Sequence, residues 1–206
     1  PRGAMGNHDP EVLIVGGGPA GASTAFQLVR RGVRVRVLDR ARFPRPKPCA
    51  ECLSPQASRL LHDMGVLAEL ESRAAHLRGM VVRSPSGAIA RGDYVAAHGF
   101  RGFRDSGLSI RREILDHALL NAARGAGAAV EEGVRVTDVI RDAAGTVRGV
   151  RATDATGAEL INTTAKLKVS RSELSSLGSR PSHKSDRVLA RRDRWLVRTS
   201  RARQRR

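Results

Sequence analysis

The 206-residue chain is 40% hydrophobic, enough for a buried core, yet only 3% aromatic, and its formal charge is +17. That charge is uneven: residues 1–164 carry 23 Lys and Arg against 17 Asp and Glu (net +6), and residues 165–206 carry 14 against 3 (net +11). Basicity is thus a property of the last fifth and defines no nucleic-acid surface for the remainder, no run approaches the ~18 apolar residues of a membrane span, and the polar start Pro1–Pro10 lacks a signal-peptide pattern, so a cytoplasmic location is expected.

Taken in chain order, Glu11-Val-Leu-Ile-Val15 is a short apolar run closed by glycines, the pattern of a buried parallel strand. Pro19 suits the first turn of a helix that continues from Ala20 to Arg31 and stops at Gly32. Val33 to Leu38 alternates apolar residues with Arg as a second strand. Residues 40–53 form a Pro- and Arg-rich connection, and Ser54-Pro55 reads as the N-cap and first residue of a helix reaching about Met64. Strand-like pieces fill 79–104, with turns at Ser84-Pro-Ser-Gly87 and around Gly99–Gly102. Residues 111–124 predict a helix with Ile114, Leu115, Ala118, Leu119 and Ala122 on one side and Gly125 as its stop. Strands follow at about 127–130, 134–140 and 146–153, the last two as a hairpin about Asp142-Ala-Ala-Gly145. After residue 164 periodicity fails. A flexible segment 1–9, a folded unit 10–164 and a basic, disordered tail 165–206 are therefore expected.

The most specific local pattern is Gly16-Gly-Gly18-Pro-Ala-Gly21, a G-x-G-x-x-G spacing set between a strand and a helix. Gly16 can take the tight turn, Gly18 lacks the Cβ that would block a pyrophosphate, and Gly21 lets the helix press on the strand. The helix start at Pro19 and Ala20 offers partial positive charge and free N–H groups to phosphate. Asp39, about twenty residues on at the end of the second strand, is placed to accept hydrogen bonds from ribose hydroxyls, and an acid there disfavours a 2′-phosphate. These features predict an α/β fold, a Rossmann-type βαβ sheet binding FAD or NAD(P), with a small β appendage. Glycine spacing alone does not separate FAD from NAD.

Two further segments carry a family resemblance. Phe43-Pro-Arg-Pro-Lys-Pro-Cys-Ala-Glu-Cys-Leu-Ser-Pro55 resembles the F-P-R-x-K-x-C-G-E-x-L-S-P stretch of the geranylgeranyl reductase-like flavoproteins, within the wider p-hydroxybenzoate hydroxylase class. Leu108-Ser-Ile-Arg-Arg-Glu-Ile-Leu-Asp-His-Ala-Leu119 is similar to their second signature, an Arg followed by x-x-(Phe/Leu)-Asp-x-x-Leu. With residues 11–39 the resemblance covers about residues 10–160. It implies FAD as cofactor, with Arg112 toward the flavin side, Arg45 or Lys47 at the phosphates, and the backbone at Val136 against the adenine. The cofactor-binding candidates are thus Gly16, Gly18, Pro19, Ala20, Gly21, Asp39, Arg40, Arg45, Lys47, Arg112 and Val136. For Arg45 and Lys47 a solvated basic loop is the competing reading, and for Arg112 an exposed first-turn helix position, where a cation is unfavourable.

The implied activity is that of an FAD-dependent oxidoreductase, geranylgeranyl reductase-like or flavin monooxygenase-like, acting on a small hydrophobic substrate. No acid, base or nucleophile for the chemical step stands out, and the six histidines lack ligand spacing for a metal. Where the family has glycines the chain has Ala50 and Cys52, leaving a Cys49-x-x-Cys52 pair. A flavin disulfide reductase using that pair is a rival reading, although its usual four-residue spacing is missing. A second rival is a non-catalytic nucleotide-binding fragment whose basic tail associates with nucleic acid, but the Arg-rich 187–206 lacks interleaved aromatics. Ala165-Lys-Leu-Lys-Val169 alternates charge where family members carry an apolar strand followed by Gly-Ala-Asp-Gly, and no later Gly-Asp anchor is recognisable. An FAD-binding domain incomplete at its C-terminus is the resulting expectation.

Overall fold

The computed structural model describes residues 10–49, 51–94, 101–163 and 166–169. The segment 1–9 expected to be flexible, the turn residue Gly99 and residues 170–206 of the expected disordered tail, with the Arg-rich 187–206, lie outside the described residues. The chain begins with β1 (Val12–Val15), α1 (Pro19–Val29) and β2 (Val35–Asp39). It then runs through β3 (Cys52–Leu53), α2 (Ala57–Asp63), α3 (Leu67–Glu71), β4 (Ala75–Leu77), the β5 (Gly79–Arg83) and β6 (Ile89–Asp93) hairpin, and β7 (Gly107–Ser109). The remainder is α4 (Arg112–Gly125), β8 (Ala129–Glu132), β9 (Arg135–Arg141), β10 (Val147–Thr153), β11 (Glu159–Thr163) and β12 (Lys166–Val169).

The central sheet is parallel, in the order β12-β1-β2-β8, with Val12 beside Val35 and Val15 beside Leu38. Successive strand residues point to opposite faces, and here both faces are covered, which is why β1 is apolar without interruption. Val12, Ile14, Val35 and Val37 pack with Ala22, Ala25 and Phe26 of α1 and with Leu115, Leu119 and Ala123 of α4. Leu13, Val15 and Leu38 face the other way, onto Val134, Val150 and Ala152. The strands on that side form an antiparallel sheet, β11-β10-β9. Helices, parallel sheet and antiparallel sheet thus make three layers, a Rossmann-type α/β arrangement with a β appendage. Each fully buried Leu or Val of the middle layer contributes about 1.5–3 kcal/mol from burial.

Several boundaries differ from the sequence expectation. The sheet does not end at 164: Lys166–Val169 joins it as a fourth parallel strand, in register with Val12–Val15. The pairing with β1 runs through main-chain N–H and C=O groups, which Lys and Leu supply alike, so an alternation of charge does not preclude a strand here. The continuous helix α2 begins at Ala57, two residues after Pro55, and Ser54 makes the bond expected of an N-cap: its hydroxyl accepts the Ala57 N–H at 3.3 Å, and its carbonyl accepts the same N–H at 2.9 Å in the turn that leads into the helix. In α4 the buried residues are Leu115, Asp116, Ala118, Leu119, Leu120 and Ala123, while Ile114 and Ala122 are half-buried. Gly125 remains helical, and Gly127, at φ 113°, turns the chain instead. The hairpin about Asp142–Gly145 is present as β9–β10, and β11 extends it to three strands.

Candidate functional site

The glycine turn between β1 and α1 uses its three expected glycines for three different reasons. Gly16 has φ 101°, in the left-handed region open mainly to glycine, and its N–H donates to Leu38 O at 2.8 Å. At Gly21 an added Cβ would lie 1.8 Å from Gly16 O, so only glycine lets α1 approach the turn. Gly18 is different. Its φ of −68° and ψ of −176° suit any residue, and a Cβ there would meet nothing closer than Arg45 Nη2 at 3.7 Å and Arg112 Nη2 at 3.8 Å.

Space in front of Gly18 is therefore open, and two guanidinium groups border it. The start of α1 borders it as well. Pro19 has no N–H to leave unsatisfied, and the first intrahelical bond is donated by Ala22 to Gly18 O at 2.9 Å. The N–H groups of Ala20 and Gly21 stand ahead of that bond, where the helix offers partial positive charge. An opening flanked by two cations and a helix N-terminus is chemically suited to an anion such as a diphosphate.

The arginines reach the opening from distant segments, and both are held by Asp116. That carboxylate is fully buried on α4. It accepts Arg112 Nε at 2.7 Å and Arg112 Nη2 at 2.8 Å, a bidentate pair across one helical turn, and it pairs with Arg45 Nη2 at 3.3 Å. The hydrogen bond to Asp116 raises the Arg112 guanidinium above its ordinary value, against the opposing effect of burial, and the Cys49 thiol adds a further hydrogen bond. Arg112 is thus a fixed cation, and it does not occupy the exposed helix position that the competing reading gave it. Arg45 lies over the Phe43 ring, 4.8 Å from its centroid, within the range of a cation–π contact. Phe43 N–H donates to Glu132 Oε2 at 2.8 Å, which ties the connection to β8.

Asp39 closes the floor of the turn. Buried at the end of β2, its Oδ2 accepts Gly17 N–H at 2.6 Å and its Oδ1 accepts Ala41 N–H at 2.8 Å. An ionised carboxylate has about four acceptor sites, so two bonds to main chain leave capacity for further donors. The main chain just before β9 is close by, since Val134 N–H donates to Asp39 O at 2.9 Å, and Val136 is half-buried two residues on. Arg40 and Lys47, by contrast, are exposed. The structure gathers Gly16, Gly18, Pro19, Ala20, Gly21, Asp39, Arg45 and Arg112 around one turn; it does not bring Lys47 into the arginine cluster. Cys49 and Cys52 are exposed and are not joined in a disulfide.

Three contributors were missed by sequence reasoning. Asp116 sits within the second signature as its Asp, so the signal was present although its role was not. Gly17, whose added Cβ would lie 3.2 Å from Leu120 and 3.4 Å from Asp39, could have been found from the uninterrupted Gly16-Gly-Gly18. Glu51 has φ 59°; its carbonyl accepts Ile110 N–H at 3.0 Å and its carboxylate accepts Arg112 N–H at 3.3 Å. No local pattern predicts that Glu51 docks onto the start of α4.

The model of the FAD binding domain family matches residues 9–166. The chain belongs to this family. FAD is its cofactor, and the open, cation-lined turn at Gly18 fits the diphosphate of that molecule. The menaquinone reductase of Mycolicibacterium smegmatis is 33% identical over 144 residues, which are 70% of this chain and 34% of that protein. The chain thus spans about a third of the length of the first curated relatives it matches. Among solved structures, a flavin-dependent brominase superposes with a TM-score of 0.70 at 23% identity, covering 82% of this chain and 40% of that one. A geranylgeranyl bacteriochlorophyll reductase-like protein from Thermoplasma acidophilum superposes with a TM-score of 0.64 at 21% identity, covering 79% and 39%. These two likenesses show the shared fold.

Proposed function

We propose that this chain holds the ADP half of FAD for an FAD-dependent oxidoreductase acting on a small, hydrophobic organic molecule. One observation carries the reading. Gly18 needs to be glycine neither for its backbone nor for its protein neighbours, yet among the described residues the groups nearest its missing Cβ are the Nη2 atoms of Arg45 and Arg112. A position that is free of protein and lined by cations is reserved for an anionic ligand that comes close to main chain. Arg45, Arg112 and the N–H groups of Ala20 and Gly21 would hold the diphosphate, and the remaining lone pairs of Asp39 would take the ribose hydroxyls. When bound, the flavin supplies hydride or electron transfer, and the protein supplies binding, orientation and exclusion of water. The similarity to the menaquinone reductase of Mycolicibacterium smegmatis favours a hydrophobic substrate over a polar one.

Gly18→Val tests this directly. A side chain of ordinary backbone conformation fits the protein, so thermal unfolding should be shifted by no more than a few degrees. ADP affinity measured by calorimetry should fall by more than about tenfold, because the side chain takes the phosphate's place. Unchanged ADP affinity in the folded variant would remove the cradle assignment.

A further inference from the structure

We propose that Asp116 is the positioning residue of the diphosphate site, the group that allows two arginines to converge on Gly18 and sets the charge they present. The proposal rests on the cradle reading above. Arg45 comes from the connection after β2 and Arg112 from the start of α4, yet Nη2 of each lies within 3.8 Å of where a Gly18 Cβ would be. Two guanidinium groups so placed repel one another, and each is an extended side chain with many rotamers to lose. Asp116 answers both difficulties. Its Oδ2 pairs with both Nη2 atoms, at 2.8 Å to Arg112 and 3.3 Å to Arg45, and its Oδ1 fixes Arg112 Nε in the second arm of a bidentate fork.

Burial makes this anchor rigid. Asp116 has no exposed surface, and the side chains of Arg45 and Arg112 are only 16% and 14% exposed. The helix fixes Arg112 relative to Asp116 through their i, i+4 spacing, while the Phe43 ring lies against the Arg45 guanidinium. The carboxylate also reduces the local charge of the pair from two to one. The site is therefore preorganised at the expense of raw positive charge, an arrangement that favours a ligand matching the geometry over any passing anion.

The experiment is ADP titration of the wild-type protein and Asp116→Asn by calorimetry, at ionic strengths of about 0.01 M and 0.15 M, where the screening length is roughly 30 and 8 Å. Asn keeps the size of the side chain and removes its charge. ADP affinity is expected to fall at least about tenfold, and its dependence on salt to steepen, since one more uncompensated positive charge faces the diphosphate. A residue with only a structural role would lower the melting temperature and leave both quantities unchanged in the folded protein. A second readout is the double-mutant cycle with Arg45→Gln, which should weaken ADP less in the Asp116→Asn background than in the wild type. Should Asp116→Asn fail to fold, Asp116→Glu keeps the charge and displaces it, and is expected to weaken ADP with no change in salt dependence. Wild-type affinity and salt dependence in a folded Asp116 variant, or additive effects in the cycle, would overturn the proposal while leaving the cradle intact. A wild-type protein that binds no ADP would overturn both.

Discussion

Val35 and Val37 of β2 are 4% and 0% exposed, whereas Val81 and Val82 of β5 are 62% and 57% exposed. The two strands have similar apolar content and opposite environments. β2 lies between β1 and β8, under helices on one face and the β9–β11 sheet on the other. Among the described residues β5 pairs with β6 alone, and Met80 and Ile89 of this hairpin are 58% exposed as well. A two-stranded hairpin has too few neighbours to bury what it carries. The difference teaches that apolar strands report burial only through the elements stacked on them, and that the nucleotide turn is attached to the well-covered region.

The largest effect that would break this contrast concerns the turn itself. Gly21→Val places a Cβ on Gly16 O, a backbone atom that cannot move aside without displacing β1 or α1. The expected loss of stability by urea denaturation exceeds about 4 kcal/mol, the range reserved for severe packing conflicts, or the protein fails to fold. A loss under about 1 kcal/mol would mean that α1 does not press on the turn as described.

A paired substitution sharpens the comparison. Leu38→Ala empties a fully buried position between the two sheets and should cost about 2–5 kcal/mol. Val82→Thr on the exposed hairpin should change stability by no more than about 0.5 kcal/mol. Equal costs at the two sites would show that the hairpin is covered by contacts of comparable quality.

The smallest effect depends on pH. Glu71 on α3 is hydrogen-bonded and ion-paired with Arg104, which lowers its pKa below the ordinary carboxylate value, with His76 adding in the same direction and burial opposing. A lowered folded pKa stabilises the fold above the unfolded value, near 4.3, and that stability is lost as pH falls through the folded pKa. For a partly exposed pair the contribution should be under about 1 kcal/mol. Denaturation midpoints of wild type and Glu71→Gln should therefore differ at pH 7 and converge in acid. A gap that persists unchanged below pH about 3 would rule out this pair as its cause.

Much of the covered region was legible in the sequence, because its residue requirements are local. The glycine spacing, Pro19 and Asp39 each answer a constraint set within one βαβ unit, and the structure places them around one turn. Ser54 makes its expected cap bond to Ala57 N–H, while helix limits moved by a residue or two, as where Gly127 rather than Gly125 turns the chain after α4. What was not legible depended on contacts between distant segments. Asp116 looks like one polar residue on an amphipathic helix until Arg45 arrives from the connection after β2. Lys47 and Arg45 are equivalent in a one-dimensional reading, and only the path of that connection, held by Phe43 N–H on Glu132, decides which is half-buried and which is exposed. The strand Lys166–Val169 was hidden because its pairing with β1 is a main-chain property.

In the proposed function, the arginine-lined opening at Gly18 recognises a diphosphate. The most direct test of this is a calorimetric comparison of ADP with adenosine on the wild-type protein, repeated on the Arg45→Gln, Arg112→Gln double variant. ADP should bind at least about tenfold more tightly than adenosine, and most of that preference should vanish in the double variant while adenosine affinity stays the same. Equal affinity for ADP and adenosine in the wild type, or a preference untouched by removing both cations, would contradict diphosphate recognition at Gly18.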